Sequence, residues 1–199
     1  MNKKHGEIKY DKYYEAENLF GAPCKELIEY FAKQPIKGKV IDLGCGQGRN
    51  AIALTRLGFN VLGIDISKTG IGQMMKIAES EKLALTGQVG DIYSFEEIEK
   101  YDFILLDSMF HFAKNDKKQE INLLKKILDE MKGNSKMVIC NQDTGQKIKF
   151  IKEIFENNGM FKGELEQDIE YVFHDSISNH KSVTPYKILV FHKLKASMQ

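Results

Sequence analysis

The stretch Val40-Ile41-Asp42-Leu43-Gly44-Cys45-Gly46-Gln47-Gly48-Arg49-Asn50-Ala51 decides the fold. Apolar residues around one carboxylate predict a buried strand, and three glycines at alternate positions predict a tight turn. Arg49-Asn50-Ala51-Ile52-Ala53-Leu54 then opens a helix. Glycine lets the backbone turn sharply and lets a ligand approach it closely. Strand, glycine turn and helix N-terminus together make a cradle for a nucleotide-like cofactor. A dinucleotide turn reads G-x-G-x-x-G; here the glycines are 44, 46 and 48, and Arg49 stands at the dinucleotide's third glycine position.

Outward from this turn, strand and helix patterns alternate. Strands are expected at Lys39–Leu43, Asn60–Asp65, about Ala84–Val89, Phe103–Asp107 and Lys136–Asn141. Helices are expected at Cys24–Ala32, from Gly48 to Leu57 (stopped by Gly58), and over about Gly70–Leu83. A short one is expected near Ser94–Glu99, and a further helix over about Gln146–Asn158. The helix from Asp116 carries Gln119 three residues later, a capping-box pattern, and the apolar stripe Ile121, Leu124, Ile127, Leu128, Met131 before Gly133. Two last strands, about Leu165–His174 and Tyr186–Lys193, have no helix between them and form an antiparallel hairpin across the loop Asp175–Val183. Pro185 predicts a bulge or a break at the start of the last strand. The expected fold class is α/β: a Rossmann-like, doubly wound, mostly parallel seven-stranded sheet ending in that hairpin.

The chain has 199 residues, 29 basic and 28 acidic, for a net charge of +1. That length fits a single domain, with a helical leader or lid at 1–37, a cofactor-binding core at 38–142 and a C-terminal helix and hairpin at 143–199. A balanced charge creates no field favouring a polyanion, so nucleic acid is not an expected partner. No apolar run suits a membrane span, and the N-terminus has no signal-peptide core. Three scattered cysteines, Cys24, Cys45 and Cys140, suggest reduced thiols in a cytoplasmic protein. A monomer or homodimer is expected.

Asp65 ends the second strand about 20 residues after the first glycine, the place from which a carboxylate takes the ribose hydroxyls of a cofactor. A helix-capping role beside Ser67 is the alternative. Asp107 or Ser108, at the carboxyl end of the fourth strand, faces the ligand crevice of such a sheet. His111 is the acid–base candidate, because a histidine titrates near ~6.5; a structural or exposed histidine is the other reading. His174, Asp175, His180 and His192 match no metal-site spacing, so no metal is expected.

The pattern hydrophobic-Asp42-hydrophobic-Gly44-x-Gly46-x-Gly48 resembles motif I of class I S-adenosylmethionine (SAM) methyltransferases. The leader Tyr10-Asp11-Lys12-Tyr13-Tyr14 followed by Phe20-Gly21-Ala22-Pro23, and Gly44-Cys45-Gly46-Gln47-Gly48-Arg49-Asn50-Ala51, are similar to small methyltransferases of the tellurite-resistance type. Pro23 falls one position earlier than that pattern has it. The resemblance implies strand order 3-2-1-4-5-7-6 and SAM as cofactor. It implies that Asp42, Gly44, Cys45, Gly46, Gly48 and Asp107 serve the methionine end and Asp65 with Ile66 the ribose. Asp91 and Ile92 would serve the adenine, and the leader, with Tyr14 and Phe20, would fold over the cofactor. Ser108-Met109 stands where amino-methylating enzymes have Pro-Pro, which counts against a nucleic-acid base or amide acceptor. The expected function is methyl transfer to a small molecule by in-line displacement, with His111 or Asp107 taking a proton where needed. A SAM-binding sensor or assembly module without turnover is the alternative, and an NAD-dependent oxidoreductase is a third reading.

Overall fold

The computed structural model describes residues 11, 12, 14–175 and 180–195, the side chains of 173–175, 180 and 181 excepted. Seven strands form one sheet in the order β3-β2-β1-β4-β5-β7-β6. Chain packing groups the residues into two compact units, Met1–Glu96 and Glu97–Gln199.

The first unit holds α1 (Lys25–Ala32), β1 (Lys39–Leu43), α2 (Arg49–Arg56), β2 (Asn60–Asp65), α3 (Lys68–Glu81) and β3 (Leu85–Val89). Its three strands are parallel, with Asp42 beside Gly63 and Asp65 beside Val89. Val40, Ile41 and Leu43 of β1 are buried, which is why this strand reads as a nearly continuous apolar run. Gly58, at φ +91°, closes α2 by a Schellman motif. The Phe59 N–H donates to Leu54 O (3.2 Å) and the Gly58 N–H to Thr55 O (2.9 Å). Met74 is fully buried on α3, and Ile71 and Ala78 on the same helix are buried too. The short helix expected near 94–99 is instead two single 3-10 turns, Ile92–Ser94 and Ile98–Lys100.

The second unit holds β4 (Phe103–Asp107), α4 (Lys117–Glu130), β5 (Lys136–Gln142), α5 (Lys147–Glu156), β6 (Phe161–Asp175) and β7 (His180–Lys193). β4 and β5 are parallel; β7 runs antiparallel to both β5 and β6. Two expectations for α4 are corrected. Asp116 takes a helical conformation (φ −105°, ψ −20°) and its side chain caps nothing, so no capping box forms. The helix also ends at Glu130, before Gly133. There Lys193 Nζ donates to the carbonyls of Leu128 (2.7 Å) and Asp129 (3.2 Å), satisfying end groups that glycine would otherwise help to close.

The hairpin is longer than its sequence suggests, with β6 starting at Phe161 and β7 at His180. Pro185 lies within β7, opposite Glu170, and the ladder's register shift sits at Gly163/Leu165 instead. β5 ends at Gln142 opposite Tyr186, so it offers no strand partner at Pro185; the Pro185 carbonyl accepts the N–H of Asp143 (2.9 Å). On the edge strand β6, Glu164, Glu166, Asp168 and Glu170 alternate on the exposed face. Lys136, Lys152 and Lys187 pair with the first three. Among the described residues no helix is long and apolar enough to cross a membrane.

Candidate functional site

In the first unit the glycine turn departs from β1 with Gly44, Gly46 and Gly48 all in the left-handed region, at φ +81°, +55° and +80°. The N–H groups of Gly44 and Cys45 both donate to Ile64 O, at 2.8 and 3.0 Å, which pins the turn to β2. Asp65, at the end of β2, pins it again. Its Oδ2 accepts the Gly46 N–H (2.8 Å) and its Oδ1 accepts the Ser67 N–H (2.8 Å). Asp65 is therefore a brace between two loops, while the α3 cap is Ser67, whose Oγ accepts the Gly70 N–H (3.0 Å). Burial pushes the Asp65 carboxyl up, against the pull of these two N–H bonds. A carboxylate has about four lone-pair sites, so the two bracing bonds leave acceptor positions over.

Asp42 lies buried under the turn, 2% exposed. Cys45 is buried as well; desolvation and the charges of Asp42 and Asp65 hold its thiol well above the ordinary range, so it sits there as a small neutral side chain. After β3, Asp91 caps the 3-10 turn by accepting the Tyr93 N–H (3.0 Å), and Ile92 is buried. Ile66 is partly exposed beside Asp65.

The leader fastens onto this turn by contacts that the sequence does not announce. Gln47 Oε1 accepts the Leu19 N–H (2.8 Å), and Gln47 Nε2 donates to Ala16 O (2.7 Å) and to Gln73 Oε1. Gln73 Nε2 donates to Tyr14 O (2.8 Å). Asp11 accepts the Ser67 hydroxyl and the Thr69 N–H (3.0 Å), and the Ser67 bond holds its carboxyl below the usual range. Tyr14 is buried, with its hydroxyl against Gly46 and its ring against Gly70. Phe20, 45% exposed, meets Tyr14 edge-on at 6.2 Å. Gln47, Gln73 and Asp11 were not singled out from sequence; an amide at the variable centre of a glycine turn was the available signal.

In the second unit, Asp107 ends β4 and Ser108 follows at φ +61°, a conformation few non-glycine residues adopt. The Ser108 N–H donates to Cys140 O (2.8 Å), and its Oγ donates to Asp107 Oδ1 (2.9 Å) and lies 3.2 Å from the Tyr186 hydroxyl. Burial raises the Tyr186 phenol, so it stays protonated. The segment beyond is clamped twice. Asn141, fully buried, accepts the Phe110 N–H (3.1 Å) and donates to Phe110 O (3.0 Å). Glu120, 3% exposed, accepts the N–H groups of His111 (3.2 Å) and Phe112 (2.6 Å). His111 itself is exposed. Asn141, Glu120 and Tyr186 were missed from sequence. Among the described residues no cluster of three or more histidine, cysteine or carboxylate groups could hold a metal. The side chains of His174, Asp175 and His180 lie outside the described set.

Over 79 residues the chain is 37% identical to the probable S-adenosyl-L-methionine-dependent methyltransferase TehB of Haemophilus influenzae, a match covering 40% of this chain and 28% of that protein. The chain thus spans less than a third of that curated relative's length. The crystal structure of TehB from Haemophilus influenzae superposes with a TM-score of 0.71 at 19% identity, covering 94% of this chain and 66% of that one. Magnesium protoporphyrin IX methyltransferase from Synechocystis PCC 6803 with bound SAH superposes with a TM-score of 0.74 at 14% identity, covering 97% and 100%. Those two structural likenesses speak to the fold. Residues 7–157 match the family described as tellurite resistance protein TehB, and so the chain belongs to that family.

Proposed function

We propose that this chain binds SAM in the first unit and transfers its methyl group to a small-molecule acceptor by in-line displacement. The observation that carries the reading is the doubly pinned glycine turn, with Asp65 buried at the end of β2 and joined to the Gly46 N–H. Asp65, with Ile66 beside it, takes the ribose hydroxyls. Asp91 takes the adenine amino group, and Ile92 supplies an apolar wall. Asp42 and the turn residues Gly44, Cys45, Gly46 and Gly48 hold the methionine end, and Tyr14 packs over the turn. When bound, SAM supplies a methyl group already activated by the sulfonium. The protein's own task is then alignment of a nucleophile and exclusion of water, and such orientation supplies much of a rate. Acceptors that carry a proton need a base, and Asp107 and His111 are the candidates.

The test is calorimetric titration with SAM and SAH, followed by transfer from radiolabelled SAM to a panel of thiols, phenols, amines and the oxyanion of tellurium. We expect binding that weakens at least tenfold in Asp65→Ala, with product from one acceptor class. SAM binding without transfer to any class favours a sensor or assembly module. Absence of SAM binding, with enhanced NADH fluorescence, favours the oxidoreductase and ends this reading.

A further inference from the structure

Two carboxylates of the first unit meet on one buried serine. Ser67 is fully buried; its N–H donates to Asp65 Oδ1 (2.8 Å), and its hydroxyl donates to Asp11 Oδ1. Asp11 belongs to the leader, 56 residues before Ser67 in the chain. Asp65 Oδ2 accepts the Gly46 N–H (2.8 Å), and the leader reaches that loop as well. There the Tyr14 hydroxyl lies against Gly46, and the backbone of Ala16 and Leu19 is held by Gln47. The leader thus spans the two loops that Asp65 braces.

Asp11 also accepts the Thr69 N–H (3.0 Å) in the first turn of α3, where a carboxylate is stabilising in its own right. That task does not require a charge beside a second carboxylate, because the side-chain oxygen of an asparagine can accept both bonds. Burial raises the Asp65 carboxyl, and the charge of Asp11 raises it further, against the N–H bonds of Ser67 and Gly46. A more basic carboxylate is a stronger acceptor. The two bracing amides leave acceptor positions over on Asp65, enough in number for the paired hydroxyls of a ribose. O–H dipoles arriving there turn their positive ends toward Asp65 and offset the like charge that leader docking brings close.

We propose that Asp11 is a positioning residue for the cofactor's ribose: acting through Ser67, the leader carboxylate holds Asp65 for the ribose hydroxyls, so that leader docking and ribose binding strengthen each other. This rests on the reading of SAM binding above. The coupling is reciprocal, so the factor that the docked leader adds to ribose affinity is the factor that the ribose adds to leader docking.

The experiment is calorimetric titration of the full chain with SAH and with its dideoxyribose analogue, which lacks both hydroxyls, beside hydrogen exchange over residues 14–20. Asp11→Asn keeps an oxygen for Ser67 and Thr69 and removes the charge. We expect it to weaken SAH by about 5-fold, the lower end of ordinary coupling between sites, and to leave the affinity of the analogue where it was. In wild type, SAH should slow exchange in the leader by a similar factor and the analogue should not; in Asp11→Asn the two ligands should act alike. Equal weakening of both ligands makes Asp11 a cap of α3 alone and overturns the proposal, as does an Asp11→Asn variant that binds SAH as wild type does. The exchange measurement on wild type needs no variant: SAH that binds without slowing exchange in the leader overturns the proposal and leaves the SAM reading intact. Wild type that binds no SAH ends the proposal together with the reading beneath it.

Discussion

Adding one methyl group at Gly48 and one at Gly46 should produce unequal damage, for reasons the packing makes quantitative. Both glycines are left-handed, so alanine at either carries a strain of about 1–2 kcal/mol. At Gly48 the new Cβ would stand 2.3 Å from Met74 Cγ, 2.6 Å from its Sδ and 2.9 Å from its Cβ. Met74 is fully buried on α3 and its inner atoms have nowhere to go. Overpacking of this kind costs a further ~1–3 kcal/mol, so Gly48→Ala loses about 2–5 kcal/mol in all. At Gly46 the new Cβ meets the far end of Tyr14, 2.6 Å from its hydroxyl. That side chain can swing away, so the global loss stays near the ~1–2 kcal/mol of strain and the extra cost falls on the leader. Urea unfolding reads the difference, and by melting Gly48→Ala drops about 4–20 °C at this chain size. Met74→Ala in the Gly48→Ala background removes the two worst contacts, so the double mutant should beat additivity by about 1 kcal/mol or more. A Gly46→Ala loss as large as that of Gly48→Ala, or strict additivity with Met74→Ala, would refute the packing argument.

Four further outcomes can be checked. Glu120→Gln keeps one acceptor for the His111 and Phe112 amides and turns an NH₂ toward the other; we expect a loss of about 1.5–3 kcal/mol in urea and faster hydrogen exchange at Phe112, and unchanged exchange there would count against the clamp. Gln47→Ala should speed amide exchange over residues 14–20 while β1 and β2 stay protected. Acid should do the same to wild type: the native Asp11 carboxyl lies below its unfolded value of about 3.9, so its contribution is present above that pH and is lost as pH falls through the native value. Leader protection that stays level down to the lowest workable pH contradicts this. Lastly, with the Cys24 thiol pushed up to about 11 by burial and Cys45 higher than the ordinary range, iodoacetamide at pH 8 should leave Cys45 unmodified in the native protein and label it only on unfolding, as read by mass spectrometry.

Much of the first unit was legible because its strands are short and parallel, and β1 and β2 are largely buried. β1 and β2 occupy Lys39–Leu43 and Asn60–Asp65, the residues their apolar runs mark, and β4 in the second unit does likewise. The hairpin was read too short because Pro185 reads as the start of the last strand, whereas β7 runs through it opposite Glu170. The α4 cap failed because a capping box needs an extended backbone at Asp116, and Asp116 is itself helical. The clamps and the hydroxyl chain were invisible for another reason. Asn141 reaches 31 residues back to Phe110, and Tyr186 reaches 78 back to Ser108, so no local pattern encodes either contact. Asp65 stands out by its spacing, yet its bracing of Gly46 required the two loops to be seen together.

The carboxylate row on β6 also bears on colloidal behaviour. A long edge strand displays unpaired backbone groups that invite another chain to add on. A second copy laid antiparallel along β6 would bring Glu164, Glu166, Asp168 and Glu170 near their own counterparts, and their lysine partners lie on strands and a helix behind the edge. Repulsion between such rows is felt within about a Debye length, ~10 Å at 0.1 M salt and ~3 Å at 1 M. The protein should therefore be kept from filament-like association most effectively in dilute buffer, and concentrated salt should be the condition under which it first clouds.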